Sequence, residues 1–458
     1  MPAQSDDQIN FDFLTDVPIV VQQHHGQITS DAGLLPVRQF DKNWKFTDRL
    51  AACLNDLLPG RAQSLLSMIR QRIFGIIAGY EDCNDHDALR DEPVFKLIAD
   101  RLPEGEPLAS QPTLSRFENG VLPGELLKLV DFTIQTGVER LVDRSKGSMP
   151  ASVTLDLDAT DDPTHGNQQL TLFHGYYEQY QYYPLIISEP ASRHVFLAQL
   201  RHGTAHASLG ADDDLMKVVK ALRSSRPDVA VHVRGDSGFG LPVMYDVCEQ
   251  NDLTYTLGFS SNARLKKLTA NLMARAVEQF KQTGKKARLF ECFQYTCDSW
   301  RSPRTVIAKA ECHDGGTNLR FVVTNLPGVE TPEDGQRIYD DYIQRGESEH
   351  RMDELKNGLC AGRLSCHRFM PNFFRLILHT ASYNLLNALR DTADLPPLLQ
   401  RGQPQTWRMN LIKVAATIVT TTRRIVVRLA GQWPWWHMYQ LVADRATGFI
   451  PTVRPTSS

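Results

Sequence analysis

Apolar positions in the first 145 residues recur at helical spacing. Leu65, Leu66, Ile69, Ile73, Ile76 and Ile77 mark one helix within residues 62–78, and Val94, Leu97 and Ile98 mark another within 93–102. Ser110-Gln111-Pro112-Thr113 opens a shorter one, with Ser110 as cap and Pro112 in the first turn, running to Asn119. Little in this stretch reads as strand. Past Lys146-Gly147-Ser148-Met149-Pro150 the period changes. Residues 153–158, 182–188 and 194–200 read as strands joined by gaps short enough for hairpins. A helix at 212–222, a strand at 229–233, a helix at 242–249 and a strand at 254–259 follow.

The order is thus β-β-β-α-β-α-β, a mixed sheet with helices packed on it, and it is the strand order of a ribonuclease H-like core. Beyond residue 259 come a basic helical stretch at 264–281 and strand-like runs at 288–296, 305–311 and 319–324, read as an inserted β-rich subdomain. A strong helix over 333–360 and an apolar helix over 369–389 return to the core pattern. Pro396-Pro397 then breaks the chain ahead of a basic tail helix over 409–429. The predicted organisation is a helical N-terminal domain (1–147), a first core part (148–259), the β-rich insertion (260–332), a second core part (333–394) and a basic helical C-terminal region (395–458).

Composition removes several classes. The 458 residues are 42% hydrophobic and 22% charged, ordinary for folded domains and long enough for two or three of them. No run approaches the roughly 18 uncharged apolar residues of a membrane span, and the first residues lack both a basic and an apolar leader segment. A soluble, unexported, cytoplasmic protein with no membrane contact is expected. Eight scattered cysteines without a C-x-x-C pair read as reduced thiols. The net charge is only −3, yet residues 260–309 hold 11 Lys/Arg against 3 Asp/Glu, and residues 401–454 hold 8 against the single Asp444. Two basic segments in a mildly acidic chain bring a polyanion into view as partner. The 110–119 helix then reads either as a recognition helix or, equally well, as a capped helix packing a bundle.

The acids sharpen this. Metal-dependent phosphoryl transfer on DNA needs carboxylates converging from separate elements on ions about 3.5–4 Å apart. Asp156 and Asp158 lie two apart on one predicted strand and so face one side of the sheet. Asp236 stands just past the fourth strand, in Arg234-Gly235-Asp236-Ser237-Gly238, and the first and fourth strands are expected to be neighbours. Tyr342, Arg345, Glu349 and Lys356 are spaced three, four and seven apart, so on one helix they fall within a sector of roughly 60°. That face suits Glu349 for metal, Arg345 and Lys356 for phosphates, and Tyr342 for phosphate or base, although a solubilising amphipathic face has the same spacing. Asp156 as ligand and Asp161 as auxiliary acid stay open. Trp300 could stack on an unpaired base, but burial is the commoner fate of such a ring. Arg423, Arg424 and Arg428, with no acid nearby, are candidates for DNA phosphate contacts.

Tyr342-x2-Arg345-x3-Glu349-x6-Lys356 resembles the Y-R-E-K signature of DDE transposases from bacterial insertion sequences. Asp158-Ala159-Thr160 and Arg234-Gly235-Asp236 resemble the same family's first- and second-aspartate motifs. Tyr80-Glu81-Asp82, Asp91-Glu92-Pro93, the 108–119 string and Trp433-Pro434-Trp435 look like one group within it, so the likeness covers nearly the whole chain. The resemblance implies an enzyme that cleaves the terminal inverted repeats of its mobile element and transfers the 3′-hydroxyl ends to target DNA. Asp158, Asp236 and Glu349 would be catalytic and would hold two Mg²⁺ ions, with Mn²⁺ able to substitute. It further implies double-stranded DNA as partner, a homodimer on paired ends, and association with the bacterial nucleoid.

Two rivals have their own signals. Asp156-Leu157-Asp158-Ala159-Thr160 also fits the D-x-D-x-T pattern of haloacid-dehalogenase-like phosphatases, where the first Asp is the nucleophile. That class needs a parallel sheet with a crossover helix after the first strand, where this chain reads as two more strands. A non-enzymatic DNA-binding regulator would use the N-terminal helices and have no use for three converging acids.

Overall fold

A computed structural model describes residues 8–11, 19–22, 26–55, 63–392 and 395–452. Most of the first 25 residues, where no leader segment is expected, lie outside these. The central element is an eight-stranded mixed sheet built from β1 (Ser152–Ala159), β2 (Leu185–Glu189), β3 (His194–Gln199), β4 (Ala230–Gly235), β5 (Thr254–Phe259), β6 (Ala287–Tyr295), β7 (Arg304–His313) and β8 (Gly316–Thr324), in the order β6-β7-β8-β5-β4-β1-β2-β3. β1, β4 and β5 are parallel, and β2 and β3 return antiparallel beside β1. The segment β3-β2-β1-β4-β5 is the ribonuclease H-like core, in the order that the strand pattern predicts.

Helices cover both faces, as a buried parallel centre requires. Pro123–Arg144 lies along β3, and so does the long apolar helix Phe369–Asp391, while Ala211–Ser225 and Pro242–Gln250 form the crossovers into β4 and β5. Leu155 and Leu157 on β1 and Val231 and Val233 on β4 are almost wholly buried, and this apolar pairing locks the register of the two strands. Leu65–Ala78 packs on Phe369–Asp391, so the N-terminal helices rest directly on the core, and one hydrophobic cluster runs from Leu34 to Ala446. The helix Gln111–Asn119 turns Leu114, Phe117 and Glu118 inward, with Phe117 edge-on to Phe374 at 5.4 Å and Glu118 ion-paired to buried Arg72 at 2.6 Å. Its inward face is core, and Arg116 is the one cation it leaves exposed.

The β-rich insertion departs from the expected separate subdomain. Residues 321–324 of β8 pair with β5, so β6, β7 and β8 extend the core sheet. Alternation on β7 explains how both faces are covered: Val306, Ala308 and Ala310 join the main core on the side of the helix Ala270–Thr283, while Ile307 joins Ile338 and Tyr339 of the helix Pro332–Ile343 in a second cluster.

Three further expectations are corrected. The single helix over 333–360 is broken into Pro332–Ile343, Gly346–Asp353 and a wide turn at Glu354–Gly358, in which the Leu359 N–H donates to the Glu354 carbonyl five residues back. Gly346, a weak helix former, stands at the break. The tail helix over 409–429 is instead a hairpin, Ala416–Thr420 with Ile425–Leu429, joined on its outer edge by Ile28–Thr29. Its β-branched run Thr417-Ile418-Val419-Thr420 and Ile425-Val426-Val427 favours a pleated surface over a helix; helix returns only at Trp436–Gly448. Short strands also occur at Gln8–Phe11 and Ile19–Gln22, in the region where little reads as strand.

Candidate active site

The parallel ladder between β1 and β4 pairs Leu155 with Val233, Asp156 with Arg234 and Leu157 with Gly235. Continued by one position, this register sets Asp158, next to last on β1, beside Asp236, the first residue past β4. The two carboxylates interact: burial is the main cause that raises the Asp158 carboxyl above its ordinary value, and the charge of Asp236 adds to it against the pull of Arg345. Asp158 Oδ1 accepts the Ala159 N–H at 3.0 Å, and Asp236 Oδ1 accepts the Gly238 N–H at 2.8 Å. Gly258 on β5 permits this crowding, since a Cβ there would lie 2.8 Å from the Tyr342 hydroxyl and 2.6 Å from the Ser237 nitrogen.

Asp156, two residues before Asp158, has a different role. It is fully buried, receives Arg234 at both oxygens (2.8 and 3.2 Å), and receives Arg351 at 2.6 Å. Arg234 also donates to the Asp341 carbonyl at 2.8 Å. Sheet and helical arm are therefore clamped together through one carboxylate. With both oxygens committed to guanidinium groups, Asp156 has no exposed face to offer as a nucleophile or ligand. The antiparallel β2 and β3 after β1 also replace the crossover helix that a phosphatase of the D-x-D-x-T type requires.

The arm brings the other candidates in, but not as one stripe. Tyr342 and Arg345 flank the break between the two helices, and both side chains are largely buried. Arg345 contacts Asp158 Oδ2 at 3.3 Å and Glu349 Oε1 at 3.7 Å, so it bridges the strand acid and the arm acid. Burial, joined by the charges of Asp236 and Asp158, raises the Tyr342 phenol, with Arg345 opposing. Glu349 itself is 73% exposed. Past the wide turn, Lys356 reaches Thr160 Oγ1 at 3.2 Å, the Asp161 carbonyl at 2.5 Å and Asp161 Oδ1 at 3.1 Å, which commits both Lys356 and Asp161 to each other. The regular 100° step behind the 60° sector does not survive the break and the wide turn.

Hard carboxylate oxygens on Asp158 and Asp236 have the donor chemistry of a Mg²⁺ site. Glu349 is not gathered with them, and among the described residues no three acidic, His or Cys side chains lie close enough to hold a metal ion. Beside Asp236 opens a cleft of about 500 Å³, lined by Ser260, Ser261, Lys309, Arg320, Tyr342 and Arg345. Hydroxyls and cations next to two acids suit a phosphodiester backbone.

Sequence reasoning missed two groups here. Ser348 donates to Asp158 Oδ2 at 2.8 Å, and no spacing rule singles out a serine beside Glu349. Arg351 gave no signal because its partner is 195 residues away. Of the remaining candidates, Arg423 and Arg424 sit at the exposed turn of the tail hairpin and Arg428 on its second strand, opposite Thr417. Trp300 is buried among Tyr245, Phe259 and Tyr295 at 5.4–5.6 Å. All eight cysteines are free, and among the described residues no helix is long and apolar enough to cross a membrane.

The family model described as "Transposase DDE domain group 1" matches residues 11–447. Compared with curated protein sequences, the chain has no match. A cryo-EM structure of a piggyBac transposase synaptic complex with hairpin DNA aligns over 84% of this chain and 79% of that one, at 11% identity and a TM-score of 0.42.

Proposed function

The chain belongs to the DDE transposase domain group 1 family, and from that premise we propose that it cleaves the terminal inverted repeats of a bacterial insertion sequence and joins the freed 3′-hydroxyls to target DNA. The observation that carries this reading is the pair Asp158 and Asp236 at the ends of adjacent parallel strands, bridged through Arg345 to Glu349. Asp158 and Asp236 are the ligands that would hold divalent metal, Mg²⁺ with Mn²⁺ as substitute, and Glu349 is the third acid that the family resemblance implies, set apart from them in this arrangement. Metal held by these acids would supply Lewis-acid activation of the attacking oxygen and stabilisation of the leaving 3′-oxygen.

The chain's own side chains do the rest. Arg320, Lys309 and Arg345 in the cleft bind the phosphates flanking the scissile bond, and Tyr342 orients the strand against them. Lys356 holds the Thr160–Asp161 turn that follows the first acid, in place of the phosphate contact its spacing suggested. Arg423, Arg424 and Arg428 track duplex backbone from the tail hairpin. The active species is a homodimer on paired ends, acting in the bacterial cytoplasm on the nucleoid.

The test is cleavage of labelled DNA bearing the terminal repeats that flank its gene, with Mg²⁺ or with EDTA, for the native chain and Glu349→Gln. Metal-dependent cuts at the repeat ends by the native chain alone are expected. Binding without cutting by both proteins would favour a DNA-binding regulator.

A further inference from the structure

Between β1 and β2 the chain leaves the core sheet and builds a small three-stranded sheet, Asp162–Pro163, Leu172–His174 and Gln179–Tyr182, with the last strand in the middle. Its outer part carries a dense run of exposed apolar side chains: Leu170, Leu172, Phe173, Tyr176 and Tyr180 are each 42–83% exposed within eleven residues. Phe173 and Tyr180 are cross-strand partners with ring centroids 5.6 Å apart, so their rings form one surface. The inner part points the other way. His174 packs on Tyr177 at 5.0 Å and on Tyr183 at 5.6 Å, and both tyrosines feel the charge of Asp236. The finger therefore grows from the strand that carries Asp158, with Tyr177 and Tyr183 within electrostatic reach of the second acid.

At its base lies a groove of about 650 Å³, lined by Asn167, Gln168, Gln169, Thr171, Tyr180 and His367. The Gln168 amide donates to the Leu364 carbonyl at 2.9 Å, while its Oε1 is buried without a partner. Rings at the rim of a groove rich in amides and hydroxyls match the two faces of a nucleobase, a flat π surface and an edge of donors and acceptors. The exposed rings offer on the order of 400–500 Å², short of the roughly 800 Å² per partner of a stable protein interface.

We propose that this finger is a stacking platform for unpaired bases of the DNA strand whose phosphate lies at the Asp158–Asp236 pair, with the amide groove receiving a base edge. This rests on the transposase reading above. In EDTA, which blocks cutting, the full chain should bind a short duplex with a single-stranded overhang about ten- to a hundredfold more tightly than the same duplex with blunt ends. Fluorescence of 2-aminopurine in the overhang should be quenched on binding. Phe173→Ala with Tyr180→Ala should lose the preference and the quenching while blunt-duplex affinity stays within about twofold. Tyr180→Phe, which keeps the ring, should retain both. An alanine variant indistinguishable from native on overhang DNA would overturn the platform and leave the transposase reading standing. A native chain that binds neither DNA would overturn both. A loss of self-association in the alanine variant without DNA, seen by sedimentation, would reassign the finger to a contact between copies.

Discussion

The strand pair β1–β4 and the helical arm at residues 332–358 each carry part of the site, but they are built to opposite specifications. The strand pair is locked by apolar packing on one face and by the buried Asp156–Arg234 pair on the other, and it sets Asp158 and Asp236 by ladder register. The arm is interrupted at Gly346, widened at Glu354–Gly358, and leaves Glu349 in solvent. What joins them is a buried charge cluster, Asp156 with Arg234 and Arg351, and an outer bridge through Arg345. The contrast shows that two carboxylates can be positioned by secondary structure, whereas the third depends on how a helix is held against the sheet.

The largest expected effect separates chemistry from scaffold. Asp158→Asn or Asp236→Asn should lower repeat-end cleavage about 10³-fold or more, because each removes a negative oxygen donor from the proposed metal site. End binding in a gel-shift assay should stay near native. Asp156→Ala should break the joint itself: two buried guanidinium groups lose their counter-charge, at a cost of about 3–5 kcal/mol read from urea unfolding. Arg345→Lys keeps the charge but loses the planar fork that spans Asp158 and Glu349. Cleavage should fall about 10- to 100-fold with folding stability unchanged within about 0.5 kcal/mol.

A pH test reaches the turn after the first acid. Asp162 is buried with neither carboxylate oxygen hydrogen-bonded, and burial raises its carboxyl well above the ordinary 3.8. The folded state thus holds a proton that the unfolded chain releases near 3.8. Its contribution is fully present below that pH and is lost as pH rises through the folded value. Asp162→Asn should therefore gain stability over the native chain from about pH 4 upward, with the gain vanishing below it, as measured by urea melts at a series of pH values. The smallest effect is at the break in the arm. Gly346→Ala meets no atom within 4 Å and should add up to about 1 kcal/mol of stability. If it also lowers cleavage, flexibility of the arm is part of the reaction.

The comparison also explains which parts of the protein were legible. β5 lies at 254–259 as expected, and the helices after β3 and β4 differ from expectation by a few residues, because alternation and helical period are local signals. The tail hairpin reads from the sequence as a basic helix over 409–429. Its strand character depends on pairing with Ile28–Thr29, nearly 390 positions earlier. The aromatic strands at 162–182 were missed because they are two to four residues long and stabilise one another only as a set.

From the sequence alone came the core strand order, the placement of Asp158 and Asp236 at strand ends, and the family resemblance that ties Glu349 to them. All of these rest on periodicity or fixed spacing, which short-range geometry preserves. Only the tertiary structure decided that Asp156 is a structural counter-ion, that Lys356 holds Asp161, and that β6, β7 and β8 extend the core sheet. Each outcome depends on which distant charge or strand edge is desolvated against it, a quantity set by packing across the chain and invisible in any local window.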